Sequence, residues 1–449
     1  MKIVLYLFAV TLLTLSACEE FLEKKPDIKL VVPKTLDDAD LLLNNYNSLN
    51  MYYPVFGEIG TDDYYLTEDR WEGIGNYDQR MAYIWADEPY RDAMQWQRPY
   101  KVVYIANQVL DILKSVDRND GRYNRIYGGA HFYRAFAFHQ LAEIYSPAYT
   151  SLTAAQELGI PLRLSPDMDQ KSVRPSLKDT YEQIIWDLKV AISSLPGQES
   201  IKGRPHKAAA YGALARVYLD MADFDLAYLY ADSCLQLNPT LLDFNKLSLD
   251  AEYPFTRFNV EVLFPALATI GYPMGATTAL MDTLLYDSYS NNDLRKRAFF
   301  KLNVDPLDSY YFKGSYDQSN TLFFGITTSE IYLIKAEAAA RIGNIAEAKL
   351  SLNELLKSRW DRDVVYIPVN ESNSEQLLRT ILHERRKELV FRGRRWSDLK
   401  RLNLDQRFQL TLTRIVGDRT YTLAPNDLRY AYRIPDMVVE LSEVKQNKR

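Results

Sequence analysis

A segment of the chain between residues 62 and 77 combines aromatic rings with planar polar side chains. Its members are Asp62, Asp63, Tyr64, Tyr65, Trp71, Asn76 and Tyr77. Aromatic rings stack on the apolar C–H faces of sugars, while carboxylates and amides bind the hydroxyl groups at the sugar edges. The segment therefore predicts a binding site for an oligosaccharide, and Tyr272 and Tyr311 in later aromatic stretches are predicted to join it. The alternative is that these rings fill gaps between loops and helices.

The sequence offers little for nucleophilic, metal or cofactor chemistry. It contains no G-x-S-x-G elbow and no phosphate-binding loop, and Gly73 and Gly75 lack the third glycine of a dinucleotide site. His131 and His139 are eight residues apart, and His383 is not followed by a second histidine at the spacing of a metalloprotease helix. We expect no cofactor, no metal and no enzymatic activity.

Paired carboxylates leave one enzymatic alternative open. Asp62 and Asp63 are adjacent, and in an extended segment their side chains would point to opposite sides, which disfavours an acid–nucleophile pair. Glycosidase carboxylates are matched in space and not in sequence, however. A surface-attached glycan hydrolase on a helical scaffold therefore stays as the alternative function.

Composition excludes other classes of protein. The 449 residues include 54 Lys and Arg against 59 Asp and Glu, which gives a net charge of −5 and argues against nucleic acid as a partner. Two cysteines and four histidines are too few for a disulfide framework or a multi-Cys/His metal site.

The N-terminus has the pattern of a bacterial lipoprotein signal peptide. Residues 1–17 place Lys2 before an apolar stretch that ends in small residues, and the stretch is shorter than the ~20 residues of a membrane-spanning helix. The sequence LSAC at residues 15–18 resembles a lipobox, so Cys18 is predicted to carry the lipid that anchors the protein to a membrane. The alternative is an ordinary signal peptide with an incidental cysteine.

Helical pairs must position the candidate site. Residues 207–241 match the 34-residue tetratricopeptide pattern at Leu214, Tyr218, Ala227, Cys234 and Pro239. Small residues at Ala227 and Cys234 let two helices approach closely, so Cys234 is predicted to be a buried core residue and not a reactive thiol. Residues 176–195 predict another helix, with Ser176 as its N-cap and Asp179 three residues later.

The apolar spacing along the chain predicts a mainly α protein with a tetratricopeptide-like scaffold of helical pairs. Long aromatic-rich loop insertions, which do not read as helix, and a few short strands are expected between the pairs. We expect a single domain over residues 18–449, with helical pairs near residues 92–145, 176–238 and 326–402. The expected insertions are residues 50–89, 146–174, 243–281, 303–325 and 407–435. Loops of this length in a compact domain are commonly functional. A short strand is expected near residues 262–267.

Two groups of prominent residues are assigned to the scaffold. Trp96, Trp186, Trp360 and Trp396 lie in helical patterns and are predicted to be core or helix-packing residues. The charged run at residues 384–388, with Arg392, Arg394 and Arg395, is predicted to be a solvated or ion-paired helix face because acidic and basic residues alternate at helical spacing.

Motifs along the whole mature chain resemble those of the SusD/RagB family of surface lipoproteins from glycan-foraging Gram-negative bacteria. In chain order they are CEEFLEKKP (18–26), WQRPYKVVYIAN (96–107), RAFA (134–137), RPSLKDTYEQII (174–185), KAAAYGALARVYL (207–219), EIYLIKAEA (330–338), HERRKELVFRGRRWSDLKRLN (383–403) and YRIP (432–435). Two features depart from the family pattern. Arg392 stands where the family often has Glu, and the asparagine-rich C-terminal ending is reduced to Gln446-Asn447.

This resemblance implies a non-catalytic receptor tethered at the outer membrane and facing the cell exterior. Such a protein captures an oligosaccharide, or sometimes a peptide or another nutrient, and passes it to a SusC-like TonB-dependent transporter beneath it. A weaker alternative is a protein that uses its helical repeats only to hold partner proteins.

Overall fold

A computed structural model describes residues 33–88 and 90–449. The predicted signal peptide and Cys18 lie outside the described residues. Within that part of the chain there are seventeen α-helices. They are α1 (Leu36–Leu43), α2 (Tyr46–Leu49), α3 (Phe56–Ile59), α4 (Glu68–Glu72), α5 (Tyr77–Tyr83), α6 (Met94–Ile112), α7 (Tyr123–Tyr145), α8 (Leu177–Ser194), α9 (Lys207–Asp220), α10 (Phe224–Leu237), α11 (Thr283–Asp287), α12 (Arg295–Phe299), α13 (Thr328–Arg341), α14 (Ile345–Arg359), α15 (Ser374–Glu388), α16 (Arg395–Leu402) and α17 (Asp436–Ser442).

Eight short strands form four antiparallel pairs: β1 with β3, β2 with β6, β4 with β5 and β7 with β8. Their bounds are β1 (Tyr64–Tyr65), β2 (Val262–Phe264), β3 (Leu280–Met281), β4 (Phe300–Leu302), β5 (Tyr310–Phe312), β6 (Ile326–Thr327), β7 (Leu412–Val416) and β8 (Arg419–Leu423). The mainly α class with few short strands is confirmed, and so is the strand expected near residue 262.

The long helices pack in sequence order, from α6 against α7 to α9 against α10, and the array continues from α10 to α13, α14 and α15. Ser176 and Asp179 form the predicted capping box at the start of α8. Ala227 and Cys234 are both fully buried, which confirms their predicted role as close-approach residues between α9 and α10. The helical array is therefore the tetratricopeptide-like scaffold that the sequence predicts.

The four tryptophans assigned to the scaffold differ in exposure. Trp96 and Trp396 are buried, as predicted. Trp186 is 51% exposed on α8, where the edge of its ring contacts His131 of α7, so it is a helix-packing residue and not a core residue. Trp360, directly after α14, is half-buried.

The expectation that residues 50–89 lack helix is wrong, because the segment contains the short helices α3, α4 and α5. Each has four to seven residues, which is too short to show the apolar period on which helix prediction rests. The Asn76 side chain accepts a hydrogen bond from the Gln79 N–H and so caps the start of α5.

The charged run in α15 is ion-paired, as predicted, but most of it is buried. Arg359 at the end of α14 lies 2.8 Å from both Glu388 and Glu261, and all three side chains are at most 1% exposed. Arg385 bonds Asp398 of α16 at 2.9 Å. A buried charge is tolerated only when it is paired and hydrogen-bonded, so this network holds the C-terminal helices and the insertions in one arrangement.

Arg392, the departure from the family pattern, also has a structural role. Its guanidinium carbon lies 3.4 Å from the centre of the Tyr316 ring and 5.3 Å from that of Phe323, and all three side chains are buried. A cation–π contact of this kind offsets part of the cost of burying the guanidinium.

Among the described residues, no helix combines the length and apolar character that crossing a membrane requires.

Candidate functional site

One arginine joins three of the predicted insertions. The guanidinium of Arg70, in α4, donates hydrogen bonds to the carbonyl oxygens of Thr278 at 3.1 Å and Asp305 at 2.7 Å. Segments from residues 50–89, 243–281 and 303–325 therefore meet at this side chain. Insertions that are far apart in sequence form one surface.

Arg70 thus acts as one clamp between insertions, and Gln79 is a second clamp, which joins residues 50–89 to residues 243–281. The Gln79 side chain, in α5, donates to the Ile270 carbonyl at 2.8 Å and accepts from the Tyr272 N–H at 2.8 Å. In addition, Tyr65 lies opposite Leu280 in the pairing of β1 with β3. The backbone that carries Tyr272 is therefore fixed beside the segment that carries Asn76 and Tyr77.

Four aromatic side chains lie on the segments that these contacts join, and we call them the aromatic face: Tyr65, Trp71, Tyr77 and Tyr272. Tyr65 and Tyr77 are each 38% exposed and Tyr272 is 51% exposed, while Trp71 is half-buried. Exposed rings held by a hydrogen-bonded backbone can stack on a sugar with little ordering cost. Four of the nine predicted ligand-binding residues are therefore at least partly exposed rings on segments that the fold joins.

Cations border two of these rings. The guanidinium of Arg80 lies 5.5 Å from the centre of the Trp71 ring and 5.6 Å from that of Tyr77, and Arg91 lies 5.6 Å from Tyr77. The Trp71 indole N–H donates to the Arg80 carbonyl at 3.0 Å. The Tyr77 hydroxyl donates to the Glu88 carboxylate, and this hydrogen bond raises the pKa of Tyr77. Guanidinium donors therefore lie next to the stacking surface.

Asp62 and Asp63 have internal partners. Arg395 holds Asp62 through two hydrogen bonds of 2.7 and 2.8 Å, and Arg386 bonds the buried carboxylate of Asp63 at 2.8 Å. Both aspartates reach Arg386, so they do not diverge as an extended segment would require.

Their pKa values move in opposite directions. Burial alone would raise the pKa of Asp62, but Arg395 and Arg386 outweigh it and hold the pKa well below its usual range. At Asp63 burial dominates, the charge of Asp62 adds to it, and the pKa is raised. The two carboxylates belong to the network that attaches this insertion to α15 and α16.

Tyr64, Asn76 and Tyr311 also have internal contacts. Tyr64 is 1% exposed, and its hydroxyl donates to the Ile59 carbonyl at 2.9 Å. Asn76 caps α5. Tyr311 is half-buried on β5, where its hydroxyl donates to Glu252 at 3.3 Å. Tyr64 and Asn76 therefore stabilise the insertion at residues 50–89, and the Tyr311 hydroxyl has an internal partner outside the aromatic face.

Sequence reasoning missed the residues that build the surface. Gln79 and Arg80 were not singled out, because nothing in their local pattern shows that they contact a loop some 190 residues away or a neighbouring indole. The one available signal is their position in a segment that already carries Trp71 and Tyr77.

One buried group has metal-ligand side chains close together. His139, Glu143 and Asp220 place one ligand atom each within 4.8 Å of the others. Arg394 donates to both Glu143 and Asp220, so a guanidinium already supplies the positive charge at this place. The cluster is part of the buried ion-pair network.

Comparison with known proteins gives consistent matches along the chain. Residues 20–219 match a family model described as starch-binding and associating with the outer membrane, and residues 292–439 match the SusD family model. SusD-like protein P2 of Formosa agariphila is 24% identical over 88% of this chain and 90% of its own length. SusD-like protein P38 of the same organism is 23% identical over 89% of this chain and 90% of its own length.

Solved structures agree in fold. A SusD superfamily protein from Bacteroides thetaiotaomicron has a TM-score of 0.74 at 24% identity and covers 92% of this chain and 100% of its own. A laminarin-binding SusD-like protein has a TM-score of 0.68 at 18% identity, with 92% and 99% coverage. Because models of the SusD family match residues 20–219 and 292–439 in order, over more than three quarters of its length, the chain belongs to the SusD/RagB family.

Proposed function

We propose that the protein is a non-catalytic receptor at the outer membrane that binds an oligosaccharide on the aromatic face and delivers it to a SusC-like TonB-dependent transporter. In this proposal Cys18 carries the lipid anchor, and the body of the protein faces the cell exterior. The observation that carries the proposal is that four partly exposed rings lie on segments that the Arg70 and Gln79 clamps join.

The chemistry of the aromatic face suits a sugar better than a charged or purely apolar ligand. Tyr65 and Tyr272 offer ring surface, and Arg80 and Arg91 offer planar donors to hydroxyl groups. Glu88 next to Tyr77 offers an acceptor. The family description and the laminarin-binding neighbour support the same class of ligand.

The hydrolase alternative is disfavoured by the surroundings of Asp62 and Asp63, the carboxylate pair that the sequence offered for this role. A glycosidase needs one carboxylate as acid and one as nucleophile or base, both facing the ligand. Asp62 and Asp63 face Arg395 and Arg386 instead. Incubation of the protein with laminarin and starch, followed by analysis of reducing ends, is expected to show no product, and sustained product formation would contradict the receptor proposal.

Affinity electrophoresis in native gels that contain laminarin or soluble starch tests the binding site. The wild-type protein is expected to be retarded by at least one of the two glucans. Replacing both Tyr65 and Tyr272 with Ala should weaken binding to the glucan about fivefold or more, since each stacked ring contributes ~0.5–1.5 kcal/mol. Trp186→Ala is the matched control, because it removes an exposed ring on α8 away from the aromatic face. Equal retardation of the double variant and wild type would place the site elsewhere.

The anchor and the partner need a separate test. We expect wild-type protein to fractionate with the outer membrane and to co-purify with a β-barrel transporter in mild detergent. Cys18→Ser should release the protein from the membrane fraction, because anchoring depends on the acyl chains. Recovery of the wild-type protein without any β-barrel would contradict the transporter partnership but leave the binding proposal standing.

A further inference from the structure

A cleft lies beside α13 and α14 of the helical array, and we call it the α14 cleft. It has a volume of about 780 Å³ and is lined by α13, α14 and the segments around residues 239–245 and 360–366. None of its lining residues belongs to the segments that carry the aromatic face, residues 62–88 and 270–281. The two surfaces are therefore built from different parts of the chain.

Three partly exposed aromatic side chains line the α14 cleft: Tyr332, Trp360 and Tyr366. The Trp360 and Tyr366 rings meet edge-on, with centres 5.9 Å apart and planes inclined at 65°. The Trp360 indole nitrogen is buried, so the part of this side chain that reaches the cleft is ring carbon. This is the surface on which the C–H face of a sugar stacks.

Arg362 and Asp243 at the rim pair with each other at 3.3 Å, but three other charged groups there have no strong partner among the described residues. Glu354 and Lys357 are exposed on α14, and within the described part of the chain neither side chain makes a hydrogen bond or an ion pair. Asp361 accepts one hydrogen bond from the N–H of Asp363, two residues on. The carboxylates of Glu354 and Asp361 therefore remain available to ligand hydroxyl groups. The carboxylates of Asp62 and Asp63, in contrast, are bound by arginines.

The backbone around the α14 cleft is fixed by contacts with distant segments. The Asn245 side chain donates to the Trp360 carbonyl at 2.9 Å and accepts from the Arg362 N–H at 3.0 Å. The Asp361 N–H donates to the Asn292 carbonyl at 2.9 Å. The Tyr366 hydroxyl donates to Asn353 at 2.6 Å. A site with its rings and carboxylates held in this way pays little ordering cost when it binds a ligand.

From these observations we infer that the α14 cleft is a second oligosaccharide-binding site, with Trp360 as its stacking ring and Glu354 and Asp361 as acceptors for sugar hydroxyls. The inference rests on the proposed function for the class of ligand and on the cleft alone for the location. A long glucan that engages both surfaces would gain affinity through the raised effective concentration of its second segment.

A protein partner is the competing occupant of the α14 cleft. Val365 and Ile367 next to it are 84% and 83% exposed, and exposed apolar residues also occur at protein interfaces. The free carboxylates favour the sugar, because the centres of protein interfaces are depleted of charged residues.

Affinity electrophoresis of the full-length protein on laminarin and soluble starch tests the inference, with Trp360→Ala as the main variant. We expect the variant to bind the retarding glucan about five- to tenfold more weakly than wild type. Trp186→Ala controls for loss of an exposed indole. The double variant Glu354→Ala, Lys357→Ala changes only exposed α14 side chains, so it tests the cleft without risk to folding and is expected to weaken retardation about threefold or more.

The outcomes separate the two proposals. Weaker retardation by both cleft variants, with the control unchanged, supports the second site. Normal retardation of both cleft variants, while Tyr65→Ala, Tyr272→Ala is impaired, overturns the second site and leaves the proposed function standing. Loss of transporter co-purification in the cleft variants with glucan retardation unchanged assigns the cleft to a protein partner and also overturns the inference. Absence of glucan retardation in wild type overturns both.

Discussion

Two contacts of the molecule, one within the helical scaffold and one between the scaffold and the insertion at residues 50–89, are of different kinds. Between α9 and α10 the contact is made by small buried residues such as Ala227 and Cys234. The insertion is attached through ion pairs, with Asp62 and Asp63 bound to Arg395 and Arg386. The contact between α9 and α10 therefore depends on side-chain volume, while the attachment at Asp62 and Asp63 depends on charge.

The largest loss of stability is expected where the insertion at residues 243–281 and the scaffold share one buried cation. Arg359→Met removes the ion pair of the buried Glu261 and leaves the buried Glu388 with Arg295 alone, at 3.3 Å, and breaking a buried pair in this way costs about 3–5 kcal/mol in the free energy of unfolding. Urea denaturation measures the loss. Arg379→Met, which removes an exposed pair with Glu375, should cost less than about 0.5 kcal/mol. Equal losses in the two variants would contradict the role of the buried network.

A volume change in the scaffold should have the next largest effect. Ala227→Leu adds three carbon atoms at a fully buried contact between α9 and α10 and is expected to cost about 1–3 kcal/mol. Leu229→Ala changes an exposed side chain on the same helix and should stay within about 0.5 kcal/mol of wild type. Urea denaturation of both variants tests this, and an unchanged Ala227→Leu protein would show that the helices do not approach closely there.

A buried acid in the insertion should make stability depend on pH. Burial, together with the charge of Asp63, raises the pKa of Glu58 well above its usual value of 4.5 in spite of Arg394 and Arg395. The folded protein then binds a proton that the unfolded chain releases above pH 4.5. This acid therefore destabilises the folded state increasingly as the pH rises towards its folded pKa.

Glu58→Gln removes that dependence. The variant should gain on wild type by at most about 1.4 kcal/mol per pH unit above pH 4.5, and the gain should vanish below it. Urea denaturation at several pH values between 4 and 8 measures the difference. Parallel pH profiles for the two proteins would show that Glu58 titrates normally.

The smallest effect on stability is expected on the aromatic face itself. Tyr272 is 51% exposed, so Tyr272→Ala should change the free energy of unfolding by less than about 0.5 kcal/mol. The same variant should lower retardation on the bound glucan two- to tenfold. Urea denaturation and affinity electrophoresis of the same preparation measure the changes in stability and in glucan binding. A large loss of stability would assign Tyr272 to the scaffold.

Local sequence patterns were sufficient for the scaffold. The capping box of Ser176 and Asp179 and the small residues Ala227 and Cys234 act within one or two helices, so their spacing along the chain reports their contacts directly. For the same reason, the short helices α3, α4 and α5 escaped prediction, because four to seven residues are too few to show a helical period.

What only the tertiary structure decided is which members of the segment at residues 62–77 reach solvent. Asp62 and Tyr65 are three residues apart and equally plausible as ligand contacts from their types alone. Asp62 is held by Arg395, 333 residues away in sequence, while Tyr65 remains exposed beside the segment that Gln79 fixes. Residue types determined the chemistry available to this protein. Long-range pairing of charges determined which part of that chemistry is left free for a ligand, because a buried carboxylate must find its cation wherever the fold places one.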